Sequence, residues 1–330
     1  MNYKVLISDN LSKGIVNKFK REDIVVVYNP EIGKDNSLLL NEICNYDAIA
    51  IRSDTKLDSI VLNKAIKLKV IGRAGIGVDN IDLASASSKG IVVMNTPFGN
   101  AITTAEHTIA MIFAAARNIP AANQSTQSGR WEKKKFIGIE LSKKKLGIVG
   151  VGNIGSIVAS LAQSIGMDII AYDPFLSDEK AKNLKIYKTN ELNDLLSQSD
   201  IVTLHLPKNE NTYNIISSEN IFKMKKGSIL VNCARGGLVE EIAVVKAIKT
   251  QHLSAAAFDV FKEEPAISNP LFGLKNVICT PHLGASTAEA QEKVSFQIAD
   301  QIIKYLEKGA ITNALNAPSI DSKEALLLNP

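Results

Sequence analysis

Two consecutive α/β units, each built on a buried parallel sheet, are predicted by three observations. Short β-branched apolar runs alternate with amphipathic stretches, the rhythm stops at an alanine-rich segment and restarts, and the restart opens on a glycine loop between a strand and a helix. The apolar runs lack the in–out alternation of a half-exposed strand, so the sheets should be parallel and covered on both faces. With 330 residues, the chain exceeds the length at which single cores stop growing, roughly 250 residues.

The first strand is read in YKVLIS, then a helix over SKGIVNKF, strand IVVVY, a helix over SLLLNEIC, and strand DAIAI. A helix across LDSIVLNKAI leads to strands KVIGR and IVVMN. One long helix is expected from Thr103 to Ala122, followed by the polar segment NQSTQSGRWEKKKF. The second series runs KLGIVG, DIIAYD, IVTLHL, SILVNC, SAAAFDV and NVICT, with helical stretches between most of them. A last helix spans Ser286 to Glu307 and the remainder reads as a tail. Periodicity alone leaves that helix assignable to either unit.

Composition narrows the function. The net charge is only +4, and 5% of residues are aromatic. The basic clusters Lys133–Lys135 and Lys143–Lys145 lack interleaved aromatics, which argues against nucleic-acid binding. Cys44, Cys233 and Cys279 are scattered without metal spacing, so no metal site is expected and a reducing compartment is. The N-terminus begins as a strand rather than a leader, and no apolar run approaches the ~20 residues of a membrane span. A cytoplasmic protein without membrane contact is the expectation.

The sharpest motif is KLGIVGVGNIGSIVA, with Gly150, Gly152 and Gly155 in G-x-G-x-x-G spacing. The first glycine permits a tight turn, the second lets backbone approach a pyrophosphate, and the third permits close helix–sheet packing. The helix N-terminus offers unpaired N–H groups to an anion. Asp173 follows Gly155 by 18 residues at the end of the next strand. A carboxylate there accepts hydrogen bonds from a ribose and repels a 2′-phosphate, which favours NAD over NADP.

Hydride transfer requires a group that exchanges a hydroxyl proton, and histidine suits that near neutral pH. Of four histidines, His107 lies inside the alanine-rich helix, His252 follows a helix end at the expected surface, and His205 ends a strand in the nucleotide half. His282 follows the last strand, where α/β sites form. Glu263 or Glu264, before Pro265, could orient its imidazole, and spacing does not choose between them. Arg235, just past SILVNC, is placed to grip a planar carboxylate. Arg52 and Arg73 each follow a short strand, the latter beside Gly72, Gly75 and Gly77. If both face one cleft, the substrate carries more negative charge than one carboxylate.

Together these motifs resemble the D-isomer-specific 2-hydroxyacid dehydrogenases over about residues 45–318. The resemblance is carried by IRSDTK, GRAGIGVDNID, NTPFGN, AEHTIAMI, GRWEKKKFIGIEL, GIVGVGNIG, YDP, NCARGG, DVFKEEP, PHLGAST and NALNAP. It implies Arg235, Glu264 and His282 as the catalytic set. It implies cofactor contacts at Gly150, Gly152, Asn153, Ile154, Gly155, Asp173, Pro207, Cys233, Asp259 and Gly284. Asp259 would face the nicotinamide amide, and Cys233 would line that pocket without acting as a nucleophile. Substrate contacts would fall on Arg52, Ser53, Arg73, Gly75 and Lys133, for a small phosphorylated 2-hydroxy or 2-oxo acid. Lys133 keeps the charge found there in relatives but lacks the arginine fork. Ile76 replaces the hydroxyl residue of some relatives.

The resemblance also implies a topology: two Rossmann- or flavodoxin-like domains, with the nucleotide domain inserted into the substrate domain. The expected ranges are 1–97 and 287–318 for the substrate domain, 98–286 for the NAD-binding domain, and 319–330 for a tail. A homodimer through the NAD-binding domain, using about residues 101–140, is implied as well. Because the match ends near Asn316, a short form without the C-terminal regulatory module of some members is expected. Competing readings are a reductase of a small unphosphorylated 2-oxo acid and a non-catalytic NAD-sensing protein.

Overall fold

Valine and isoleucine runs form strands because branched side chains pack well on a pleated surface. The first five are β1 (Lys4–Ile7), β2 (Val25–Tyr28), β3 (Ala48–Ile51), β4 (Val70–Arg73) and β5 (Val92–Asn95). The other seven are β6 (Lys145–Val149), β7 (Asp168–Tyr172), β8 (Tyr187–Thr189), β9 (Ile201–Leu204), β10 (Ser228–Asn232), β11 (Leu253–Phe258) and β12 (Val277–Cys279). The computed structural model describes residues 3–328. All pairings between these strands are parallel. One sheet has the order β2-β1-β3-β4-β5 and the other β12-β11-β10-β9-β6-β7-β8. Renumbered within its own sheet, the second is 7-6-5-4-1-2-3, the doubly wound dinucleotide-binding order, while the first is the flavodoxin order.

The chain divides at Asn100/Ala101 and at Ser286/Thr287, so one unit is discontinuous and the other continuous. In the discontinuous unit, the long helix Ala288–Lys308 covers one sheet face, where Val294, Ile298 and Ile302 meet Val5, Ala50, Val70 and Met94. Thr287 caps its start by accepting from the Ala290 N–H, and Gly309 ends it in the left-handed conformation. The opposite face packs Leu6, Ile49, Ile51 and Ile71 against Leu39, Val61, Leu62 and Ala86 from short helices. Asp35, Asp58 and Asp82 cap those helices with their carboxylates.

Three expectations need correction. The helix expected over 103–122 is two helices, Ala101–Ala116 and Ile119–Gln127. Asn118 adopts a left-handed φ of 54°, and Pro120 has no N–H to give the Ala116 carbonyl, which accepts from Ile139 N–H instead. Strand β8 was not expected; it has three residues, with Tyr187 exposed, and so little apolar signal. His252 is not a surface residue: it is half-buried with its ring tilted against Phe222.

The segment after the last helix is ordered onto the discontinuous unit. Asn316 accepts from Val93 N–H at 2.9 Å and donates to the Ile91 carbonyl at 2.8 Å and Ser87 Oγ at 3.1 Å. Ile311 and Ile320 bridge, and a helix Ser322–Leu328 follows with Ala325 buried. Among the described residues, no helix is long and apolar enough to cross a membrane. Replacing Asn316 with alanine leaves the β5 edge groups without these partners. It should lower stability by about 1–3 kcal/mol, seen as a lower urea midpoint at unchanged slope.

Candidate active site

In the continuous unit the glycine loop follows β6 and opens the helix Asn153–Ser164. Gly150 has φ +93° and lies so close to the His205 carbonyl that a Cβ would sit 2.4 Å from it. A Cβ on Gly155 would sit 2.1 Å from the Gly150 carbonyl, whereas one on Gly152 would meet nothing within 4 Å. The loop is thus closed on its protein side and open on its outer side, the shape a pyrophosphate needs. Asn153 and Ile154 form the first helical turn beside it.

Asp173, past β7, accepts from Val151 N–H at 2.7 Å through one oxygen and from Phe175 N–H at 2.8 Å through the other. The acid therefore fixes the glycine loop while keeping lone pairs for a further donor. Tyr172, Asp173, Pro174, Lys188, Thr189 and Asn190 line a cavity of about 150 Å³ at this edge. Pro207 is exposed, and its carbonyl accepts from Thr212 Oγ1. His205 is buried and pushed down to about 3 by that burial, so it stays neutral at working pH.

At the other strand exits, His282 Nδ1 lies 2.6 Å from Glu264 Oε2, while Glu264 Oε1 accepts from Phe261 N–H at 2.9 Å. The acid that meets the histidine is thus Glu264, not Glu263. Burial alone would raise the Glu264 carboxyl; the His282 contact, the Phe261 N–H and the charge of Arg235 outweigh it and hold it below its ordinary value. Arg235 stands on a tight turn after β10, with Asn232 Nδ2 donating to its carbonyl and its own Nη1 donating to the Ala234 carbonyl. The next residue must be glycine: a Cβ at Gly236 would lie 1.7 Å from the Phe261 carbonyl. That contact interlocks the turn bearing Arg235 with the loop bearing Glu264.

Asp259 is fully buried at the end of β11. Its Oδ1 accepts from Thr280 Oγ1 at 2.5 Å and Leu283 N–H at 2.8 Å, and its Oδ2 from Gly284 N–H at 2.8 Å. His107 Nε2 lies 3.3 Å from Oδ1, and the Asp259 carbonyl accepts from His282 N–H. Burial would raise this carboxyl, but the bonds from His107, Thr280 and Leu283 pull it below its ordinary value. Gly284 thus spends its N–H on Asp259 and can offer only its carbonyl and Cα. Burial, then the nearby charge of Asp259, pushes the Cys233 thiol up to about 12, so it stays protonated.

In the discontinuous unit, Ile51 of β3 pairs with Arg73 of β4, so Arg52 and Arg73 leave adjacent strand ends. Arg52 N–H donates to the buried Asp9 carboxylate, and Asn80 Nδ2 donates to the Arg52 carbonyl at 2.7 Å. The Arg73 guanidinium lies directly against Gly75, which is buried. Ser53 is exposed, with Oγ 3.4 Å from Asp54 Oδ1. Lys133 belongs to the continuous unit, exposed in the short turn Lys133–Lys135. Sequence reasoning gave no role to Thr280 or His107. The one available signal was that His107 lies three residues past buried Thr104 and four before buried Met111, on the inward stripe of its helix.

The doubly wound sheet and its glycine loop place the continuous unit in the dinucleotide-binding class of α/β folds. The chain belongs to the D-isomer specific 2-hydroxyacid dehydrogenases, whose NAD binding domain matches residues 109–284, more than half of its length. It is 43% identical over 328 residues to the D-3-phosphoglycerate dehydrogenase of Archaeoglobus fulgidus. It is 44% identical over 327 residues to the D-3-phosphoglycerate dehydrogenase of Methanocaldococcus jannaschii. Each match covers 99% of this chain and 62% of the relative, so the chain spans about three fifths of their length. Among solved structures, D-lactate dehydrogenase from Aquifex aeolicus complexed with NAD and lactic acid superposes with a TM-score of 0.82 at 26% identity, covering 96% of this chain and all of that one.

Asp259 yields a pH prediction. Its folded value is below the ordinary 3.8. Its stabilisation is therefore complete above that pH and is lost as pH falls through the folded value. Asp259→Asn should unfold about 2–3 kcal/mol more easily at neutral pH, since an amide cannot accept from all these donors. Thermal melts should show a flatter acid limb for the variant than for the natural chain.

Proposed function

We propose that this protein is an NAD-dependent D-3-phosphoglycerate dehydrogenase, oxidising 3-phospho-D-glycerate to 3-phosphooxypyruvate in serine biosynthesis. The single observation that carries the reading is the 2.6 Å His282–Glu264 pair with Arg235 beside it, in a chain over 40% identical to D-3-phosphoglycerate dehydrogenases. The glycine loop supports the cofactor: it is packed behind Gly150 and Gly155 and open at Gly152. Bound NAD⁺ supplies the hydride acceptor.

In this reading His282 Nε2 takes the C2 hydroxyl proton and returns it in the reverse direction. Glu264 holds Nδ1, fixing the ring and stabilising the imidazolium. Arg235 grips the substrate carboxylate and polarises the C2 oxygen. The phosphate is assigned to Arg52, Arg73 and Lys133, and the carboxylate end to Ser53 and Gly75. Asn153, Ile154, Pro207, Cys233 and Gly284 are assigned to the cofactor, with Asp173 at the ribose and Asp259 at the nicotinamide amide. In domain terms, the discontinuous unit handles substrate and the continuous unit handles NAD.

We further assign a homodimer through the NAD-binding unit, supported by exposed apolar side chains between 101 and 140. Trp131 and Ile137 are 86% and 81% exposed, more than a solvated surface usually carries together. The three free thiols support a reducing, cytoplasmic setting.

His282→Ala should lower kcat by about 10²–10⁴-fold while NADH binding persists in fluorescence titration; unchanged turnover would sink the assignment. A panel of phosphorylated and unphosphorylated D-2-hydroxy acids, with NAD⁺ and NADP⁺, tests the rest. Phosphoglycerate with NAD⁺ should lead, and equal efficiency on glycerate would favour the unphosphorylated-acid reductase. Replacing Trp131 and Ile137 with glutamate should halve the mass seen by light scattering.

A further inference from the structure

The catalytic assignment leaves without a task a partly buried histidine that lies against a buried carboxylate. His107 projects from the Ala101–Ala116 helix, and its Nε2 lies 3.3 Å from Asp259 Oδ1 and 3.4 Å from Thr280 Oγ1. Thr280 commits its only hydrogen to Asp259 Oδ1 at 2.5 Å. Towards His107, both neighbouring oxygens are therefore acceptors, and Nε2 must carry a hydrogen whether the ring is neutral or charged. A neutral ring leaves Asp259 with a full negative charge; an imidazolium cancels it.

The elements packed against this helix leave Asp259 as the one charged partner. The helices Asn153–Ser164 and Ile119–Gln127 have no ionisable side chain, and β10 and β11 have none within their spans. Beyond β10 stands Cys233, and β12 holds Cys279. Burial pushes these thiols up to about 12 and about 11, so both are neutral. Glu106, on the same helix, is exposed. His282 and Glu264 form their own pair nearby in the chain that leaves Asp259.

We propose that His107 is a positioning residue acting through Asp259, and that its protonation shifts the site's preference from NAD⁺ towards NADH. This rests on the reading that Asp259 faces the nicotinamide. The oxidised ring carries one more positive charge than the reduced ring, so a carboxylate beside it favours the oxidised form. An imidazolium on the same carboxylate removes that preference. One charge at this range in a partly buried site corresponds to a change of about three- to tenfold in the affinity ratio.

The test is equilibrium binding without turnover. Dissociation constants for NAD⁺ and NADH are measured by calorimetry for the natural chain and for His107→Gln between about pH 6 and pH 8.5. On acidification, the ratio of the NAD⁺ constant to the NADH constant should rise about three- to tenfold more in the natural chain than in the variant. The His282–Glu264 pair is common to both and cancels in the comparison. Equal pH dependence in the two proteins overturns the role of His107 and leaves the cofactor reading intact. Failure of the natural chain to bind either nucleotide overturns both. Should His107→Gln not fold, His282→Gln serves, since His107 is then the imidazole left beside Asp259. NADH binding to it should take up more protons than NAD⁺ binding, measured across buffers of different ionisation enthalpy, and equal uptake overturns the proposal.

Discussion

A fully buried carboxylate is expensive unless both its oxygens are hydrogen-bonded, and Asp259 is where this protein meets that demand. Its two oxygens gather a threonine hydroxyl, two consecutive backbone N–H groups and an imidazole, while its own carbonyl takes the His282 N–H. The loop after β12 has little regular structure, so these bonds determine its path. They hold His282 at a left-handed φ of 54°, a conformation that a non-glycine residue keeps only when its surroundings impose it. The same carboxylate ties the helix Ala101–Ala116 to β11 and β12 through His107 and Thr280.

Around that anchor, backbone contact rather than side-chain charge sets the spacing of the reactive groups. Gly236 brings the turn after β10 onto the Phe261 carbonyl, and Phe261 N–H in turn holds Glu264. Gly155 presses the first turn of its helix onto the Gly150 carbonyl, and Gly150 rests on the carbonyl of His205. Each strand exit is therefore braced by its neighbour. A parallel sheet makes this possible, because all its carboxyl ends lie on one edge.

Legibility in the sequence followed the range of the interactions. Eleven of twelve strands could be read, since β-branched runs report burial directly; β8 could not, because three residues carry no period. The helix break at Asn118 was hidden because its cause combines a local proline with a distant donor, Ile139 N–H, to which the Ala116 carbonyl turns. Gly150, Gly152, Gly155 and Asp173 were legible because a phosphate-binding turn needs them at fixed offsets. Glu263 and Glu264 could not be separated by spacing, since the answer depends on which side of the loop faces His282. His107 was opaque for the same reason: its partners, Asp259 and Thr280, are more than 150 residues away.

The return of the chain to its first sheet has a consequence for biosynthesis. Val5, Ala50, Val70 and Met94 share one core with Ile15 and Phe19 of the early helix Gly14–Arg21 and with Val294, Ile298 and Ile302 of the late one. During translation, the first five strands leave the ribosome nearly two hundred residues before that helix does. Until then the nascent sheet shows to solvent the part of this face that the late helix covers, while the continuous unit already has its whole core. The order of completion is thus inverted relative to the order of synthesis: the unit begun first is finished last, and its open face is the moment of greatest exposure to chaperones and to misassociation.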